Sequence, residues 1–132
     1  MIKGLAHVAI VVNNLDEALK IYERQLDFKL EKRRVVEQQK VKAALLRAGD
    51  MTIELLEPTD AEGTIAKFLK KRGEGIHHIA LSVSNIEGHL KELKEKGIAL
   101  IDEKPRIGME GGKIAFIHPK STRNVLIELV ER

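Results

Sequence analysis

The chain lacks cysteine and tryptophan, and aromatic residues make up only 3% of its 132 residues. The absence of cysteine excludes disulfides, thiolate metal ligands and cysteine nucleophiles, so any metal must be held by His, Asp or Glu side chains. Aromatic side chains that stack on bases are scarce, and the 23 basic residues are interleaved with 20 acidic ones. We therefore expect no nucleic-acid partner.

Long apolar runs are also absent. The first apolar segment covers residues 5–12, which is too short to span a membrane, and no secretory cleavage pattern follows it. Hydrophobic residues make up 43% of the chain and charged residues 33%, a composition typical of globular proteins. The sequence predicts a single domain over residues 1–132, located in the cytoplasm and without a membrane partner.

The chain contains an internal repeat. Residues 5–15 align with residues 76–86, with apolar residues matched at nearly every position, and the alignment places His7 on His78. Residues 52–57 align in the same way with residues 126–131, which places Glu54 on Glu128. The repeat predicts module one at about 1–58, a linker helix at about 59–74 and module two at about 75–132.

Each module is predicted to fold as βαβββ. The apolar runs at residues 5–12 and 76–83 are rich in β-branched residues and predict buried strands. Asn14 and Asn85 then begin amphipathic helices; the first has Leu15, Leu19, Tyr22 and Leu26 on one face, and Gly97 ends the second. Three strands follow in each module, at residues 28–36, 41–48 and 51–56, and at residues 98–103, 113–118 and 125–130.

A unit of this size buries too little apolar surface to be stable alone, so we expect the two modules to share a core about a pseudo-twofold axis. That axis would bring four equivalent side chains into one cavity, namely His7, Glu54, His78 and Glu128. A single buried histidine is ordinarily a hydrogen-bonded core residue, and a single strand glutamate ordinarily faces solvent. Their recurrence at matched positions favours a metal site, since adjacent carboxylates repel unless a cation lies between them.

Two imidazoles and two carboxylates form a donor set that suits cobalt, nickel, manganese, iron or zinc and leaves coordination positions open for substrate. Calcium or magnesium would seldom recruit two imidazoles. The sequence therefore predicts one divalent transition-metal ion.

The tandem repeat with these four residues resembles the vicinal oxygen chelate superfamily. Within that superfamily, six blocks resemble the methylmalonyl-CoA epimerase family; they lie at residues 7–10, 53–58, 65–69, 75–80, 118–121 and 125–129. The resemblance implies an α+β fold in which the two tandem βαβββ modules form one eight-stranded, cup-shaped mixed sheet around the metal. It also implies one divalent ion, with Co²⁺ expected and Ni²⁺, Mn²⁺ and Zn²⁺ as alternatives, and an acyl-CoA substrate.

The implied reaction interconverts (R)- and (S)-methylmalonyl-CoA by abstraction and return of the α-proton through a metal-chelated enolate. Epimerisation requires acid/base groups on both faces of the substrate. Glu128 resembles the family residue that serves at the metal and as a base. The third-strand position of the family's other base is Ala43 here, which leaves Glu110 as a speculative second base; an exposed charge in a turn is the simpler interpretation of Glu110.

The CoA moiety requires contacts of its own. Lys120, Ser121 and Arg123 lie in the loop before the last strand and offer cations and a hydroxyl to a phosphate, although solvated surface charge explains the two cations equally well. Exposed sheet edges, together with the habit of the superfamily, predict a homodimer.

Two alternative functions remain. Some epimerases of this family carry Gln where this chain has Glu54, and Glu54 instead matches the ligand set of glyoxalase I. A glyoxalase I-like lyase acting on a thiol hemithioacetal is therefore the first alternative. A metal-free small-molecule binding protein of the same fold is the second, and the paired His and Glu residues argue against it.

Overall fold

The computed structural model describes residues 2–132 of the chain. The strands are β1 (Ile2–Val11), β2 (Lys29–Val36), β3 (Val41–Ala48), β4 (Met51–Pro58), β5 (Gly75–Val83), β6 (Arg106–Ile107), β7 (Lys113–Ile117) and β8 (Ile127–Glu131). The α-helices are α1 (Leu15–Leu19), α2 (Thr64–Arg72) and α3 (Ile86–Glu95). The strands form one mixed sheet in the order β2-β3-β4-β1-β5-β8-β7-β6. This confirms the predicted α+β class and the eight-stranded mixed sheet.

Backbone contacts group the described residues into two compact units, residues 7–77 and residues 2–6 with 78–132. In the first unit, β1 runs parallel to β4, and β2, β3 and β4 are antiparallel. Helix α1 buries Leu15 and Leu19 against Ala44 and Leu55 of the sheet. In the second unit, β5 runs parallel to β8, and β8, β7 and β6 are antiparallel. The order of strands within each unit is therefore the same.

Helix α3 of the second unit repeats the packing of α1. Ile86 and Leu90 are buried against Ala115 and Leu129 of the sheet. The two apolar faces cover one side of their strands, which leaves the other side of each strand to the polar residues described below.

Both helices begin where the sequence predicts. Asn14 Oδ1 accepts a hydrogen bond from Glu17 N at 2.9 Å, and Asn85 Oδ1 accepts one from Gly88 N at 3.1 Å. These side chains satisfy amide groups that have no partner within the helix.

A strand glutamate binds the first amide of each helix as well. Glu57 Oε1 accepts from Leu15 N at 2.6 Å, and Glu131 Oε2 accepts from Ile86 N at 3.0 Å. Glu57 follows Glu54 by three residues, and Glu131 follows Glu128 by three, so strand alternation directs the two glutamates of each pair to opposite faces. One glutamate of each pair serves the helix, and the other faces the opposite side.

Most predicted strands lie within two residues of the observed ones, and the linker helix is observed as α2.

The first helix differs from the prediction, because after Leu19 it widens into a π-helical segment, Lys20–Gln25. Leu26 N donates to Ile21 O, a five-residue spacing, and the altered register leaves Leu26 56% exposed. The prediction that Leu26 lies on the buried helix face is wrong for that reason.

The predicted strand at residues 98–103 is also wrong. Leu100 makes one isolated bridge to Ile117, and the amides of Ile101 and Asp102 both donate to Phe116 O. The Asp102 carboxylate accepts from Phe116 N at 2.9 Å, which replaces a backbone partner and ends the ladder. The strand of this region is β6, which begins directly after Pro105.

No α-helix within residues 2–132 combines the length and the apolar character that are needed to cross a bilayer.

Candidate functional site

His7 and Glu54 form a buried pair on the first unit. In the parallel pairing of β1 and β4, Glu54 lies opposite Ala9, which is two residues beyond His7. Side chains two residues apart on a strand share a face, so the imidazole and the carboxylate point to the same side. His7 Nε2 lies 3.9 Å from Glu54 Oε1, and the two residues are only 8% and 3% exposed.

His78 and Glu128 form the equivalent pair on the second unit. Glu128 lies opposite Ala80 in the parallel pairing of β5 and β8, and Ala80 is two residues beyond His78. His78 Nε2 lies 3.1 Å from Glu128 Oε1, and these residues are 5% and 7% exposed. The register of this pair is the same as that of His7 and Glu54, so the sequence repeat is reproduced in backbone pairing.

Three of the four predicted ligands form a group with metal-binding spacing. One ligand atom from each of His7, Glu54 and His78 lies within 4.8 Å of the others, and all three residues are buried. Glu128 is linked to the group through its contact with His78. Bonds of about 2.0–2.2 Å to a single ion allow donor atoms to lie no more than about 4.4 Å apart, which accommodates the 3.9 Å and 3.1 Å contacts. The donors therefore fit a divalent transition-metal ion in their chemistry, and the donor atoms within each His–Glu pair are close enough to share one.

Phe116 supports this site, and sequence reasoning missed it. Phe116 lies opposite Glu128 in the antiparallel pairing of β7 and β8, so its side chain is on the same face. The Phe116 and His78 rings contact edge to face, with centroids 5.3 Å apart. The contact restrains the imidazole ring. The available sequence signal was the position of Phe116 within the predicted strand at residues 113–118, where strand alternation assigns each side chain to a face.

His77 points away from this face, because it is the strand neighbour of His78. Its ring packs edge to face on Phe68 of α2, with centroids 5.0 Å apart. The chain therefore has two neighbouring histidines in different surroundings, one near a carboxylate and one against a helix.

The predicted second base and CoA contacts lie in loops. Glu110 is exposed in the turn between β6 and β7. The equivalent of the family's other base position, Ala43, is buried and lies opposite Leu56, two residues beyond Glu54. Ala43 thus shares the face of Glu54 but carries no titratable group.

Lys120 and Ser121 belong to a 3₁₀ turn, Pro119–Ser121, and Arg123 follows it at an exposed position. Lys120 N donates to His118 Nδ1 at 3.0 Å, so the His118 side chain caps this turn. Ser121 Oγ accepts from Ala99 N at 2.9 Å, so this hydroxyl ties two loops together. The CoA roles of Lys120, Ser121 and Arg123 stay predictions.

The chain matches the family model of the Glyoxalase/Bleomycin resistance protein/Dioxygenase superfamily over residues 6–116. The ethylmalonyl-CoA/methylmalonyl-CoA epimerase of Cereibacter sphaeroides is 34% identical, over 98% of each chain. Methylmalonyl-CoA epimerase from Mycobacterium tuberculosis superposes with a TM-score of 0.91 at 39% identity, covering 98% of this chain and 88% of the other. A methylmalonyl-CoA epimerase solved in complex with methylmalonyl-CoA and NH4+ superposes with a TM-score of 0.90 at 32% identity, covering 99% and 95%.

Proposed function

Because this chain belongs to the Glyoxalase/Bleomycin resistance protein/Dioxygenase superfamily and, within it, to the methylmalonyl-CoA epimerases, which are isomerases, we propose that it interconverts (R)- and (S)-methylmalonyl-CoA. The observation that carries the proposal is the buried pairing of His78 with Glu128 in the register of His7 with Glu54. A fold alone does not specify a reaction, but buried imidazoles and carboxylates on one face of the strands supply the groups that this reaction needs.

We propose that His7, Glu54, His78 and Glu128 together hold one divalent ion. The donor set favours Co²⁺, with Ni²⁺, Mn²⁺ and Zn²⁺ as alternatives. When bound, the ion supplies positive charge where negative charge develops as the α-proton leaves. The buried positions of the four residues support this role, because water is largely kept away from their charges.

Glu128 is the proposed base on one face of the substrate. Its carboxylate is buried beside His78, and a carboxylate oxygen in such a position can accept a proton from a carbon acid held next to it. Phe116 restrains the His78 ring, which is the side chain that Glu128 contacts. Glu110 remains the proposed group for the opposite face, and Lys120, Ser121 and Arg123 remain proposed contacts of the CoA moiety.

A single-epimer assay tests the proposal. Protein loaded with Co²⁺ is supplied with one epimer of methylmalonyl-CoA, and an enzyme specific for the other epimer reports its formation. We expect turnover that chelator removes. Absence of turnover with Co²⁺, Ni²⁺, Mn²⁺ and Zn²⁺ in turn would overturn the proposal.

The second candidate is a glyoxalase I-like lyase, and Glu54 is the residue that favours it. A carboxylate at this position adds negative charge to the donor set, so it lowers the Lewis acidity of a bound ion relative to a neutral amide. The same metal-loaded protein is therefore supplied with the hemithioacetal of methylglyoxal and a thiol. Isomerisation of this compound without epimerisation of methylmalonyl-CoA would establish the second candidate in place of the first.

A further inference from the structure

Arg106 lies on the face that carries Glu128. It pairs with Ile114 across β6 and β7, and Ile114 is two residues from Phe116, which lies opposite Glu128. Residues directly opposite each other in an antiparallel pair project to the same face, so these side chains share one side of the sheet. Residue 106 lies outside the strands predicted at residues 98–103 and 113–118, so the sequence alone did not assign Arg106 to a face.

Two neighbours hold the Arg106 guanidinium. Its Cζ atom lies 5.4 Å from the centroid of the Phe116 ring, and its Nε donates to Asp102 Oδ1 at 3.1 Å. Asp102 is itself fixed, because its other oxygen accepts from Phe116 N. The Arg106 side chain is nevertheless 50% exposed. A guanidinium has five donors, and the bond to Asp102 through Nε leaves the terminal amino groups for a bidentate contact with an anion.

The position of Arg106 recurs in the first unit. Arg34 lies opposite Ala43 across β2 and β3, and Ala43 lies opposite Leu56, two residues beyond Glu54. Arg106 has the same relation to Glu128, through Ile114 and Val130. Arginine thus occupies matched positions on the two faces that carry the paired His and Glu residues.

We propose that Arg106 binds a phosphate group of the CoA moiety of the substrate, an inference that rests on the proposed function. Phe116 contacts both Arg106 and His78, so the guanidinium is one aromatic ring removed from the nearest proposed metal ligand. The Phe116 ring therefore separates an anion bound by Arg106 from the His78 imidazole. In an acyl-CoA the anionic groups outside the reacting acyl unit are phosphates, and the planar guanidinium fork matches a phosphate better than an ammonium does.

The test compares R106Q with K113Q in the full-length, metal-loaded protein. Lys113 lies on the same β6–β7 hairpin, opposite Ile107, and its Nζ binds Glu87 at 2.6 Å on the other side of the sheet. The substrates are methylmalonyl-CoA and methylmalonyl-pantetheine, which has the same reacting group but no phosphate. We expect R106Q to raise KM for methylmalonyl-CoA by about tenfold or more with kcat nearly unchanged. Neither variant should change the kinetics of the phosphate-free thioester.

Other outcomes overturn the proposal. An equal rise of KM for both thioesters would assign Arg106 to the acyl group, and an equal fall of kcat would show that it only positions Phe116 and His78. Unchanged kinetics would remove it from the site. If the unmodified protein turned over neither substrate, the proposed function would fail, and calorimetric binding of acetyl-CoA would decide this inference separately. Weaker binding in R106Q than in K113Q would support it, and equal binding would contradict it.

Discussion

His78 and Glu128 meet at 3.1 Å although their backbones are not paired with each other. Glu128 lies opposite Ala80, and His78 reaches it from two residues earlier on the neighbouring parallel strand. The same diagonal relation joins His7 and Glu54. A duplicated unit that keeps one strand register therefore keeps one diagonal His–Glu contact in each copy, and this contact is the basis of the proposed metal site.

The metal prediction is tested by substituting each of the two neighbouring histidines. The unmodified protein should bind about one divalent ion per chain, and H78A should weaken binding by more than about tenfold because an imidazole donor is lost. H77A is the matched control, since His77 packs on Phe68 instead. Elemental analysis and competition with a chelator measure both. Equal metal retention by H78A and H77A would contradict the proposed ligands.

Phe116 should influence the ion without touching it. Replacement by leucine removes the ring that restrains the His78 imidazole, so F116L should lower metal affinity by about tenfold while the fold persists. F68L removes the corresponding ring from His77 and serves as the control. Chelator titration of both variants gives the comparison. An F116L protein with the metal affinity of F68L would show that the ring contact has no role at the site.

The glutamates that bind the helix amides should affect stability and not metal binding. Replacing Glu131 by alanine leaves the partly buried Ile86 amide without its carboxylate, and we expect the free energy of unfolding to fall by about 1–2 kcal/mol. Urea denaturation measures the loss. Metal stoichiometry should be unchanged, whereas the exposed E95A variant in the last turn of α3 should alter neither property. A stable E131A protein that had lost its metal would reverse the roles assigned to Glu128 and Glu131.

The internal repeat explains why much of the fold could be predicted. The apolar runs, the Asn14 and Asn85 caps and the matched His and Glu residues are local patterns, and each is visible in a short stretch of sequence. Strand alternation then assigns a face to each residue. The ligands could be proposed for that reason before any contact was known.

Two features could not be predicted from the sequence, because they depend on neighbours distant in sequence. The π-helical register after Leu19 exposes Leu26, although the spacing of apolar residues alone continues an ordinary helix. Residues 98–103 have the apolar content of a strand, but the Asp102 carboxylate replaces a backbone partner of Phe116. For the same reason the position of Arg106 beside Phe116 could not be predicted, because it follows only from the pairing of β6 with β7.

The homodimer expected from the sequence is tested by light scattering. The mass of one chain is 14.8 kDa, and we expect about twice that value at working concentrations because small domains commonly cover exposed sheet edges by symmetric pairing. A single-chain mass at every concentration would contradict the expectation. The assignment of the metal ligands would stand, since all four belong to one chain.

Exchange of the α-hydrogen of methylmalonyl-CoA with solvent tests the central claim most directly. In deuterated buffer, mass spectrometry should show deuterium entering the α-carbon with the metal-loaded protein, and chelator should suppress the exchange. Substituting Glu128 by glutamine nearly preserves the side-chain volume but removes the proposed base, which is also a proposed metal ligand, so E128Q should lose exchange by about a hundredfold or more. E131Q, on the same strand, should exchange at nearly the unmodified rate. Rapid exchange by E128Q, or no exchange by the metal-loaded unmodified protein, would contradict the account.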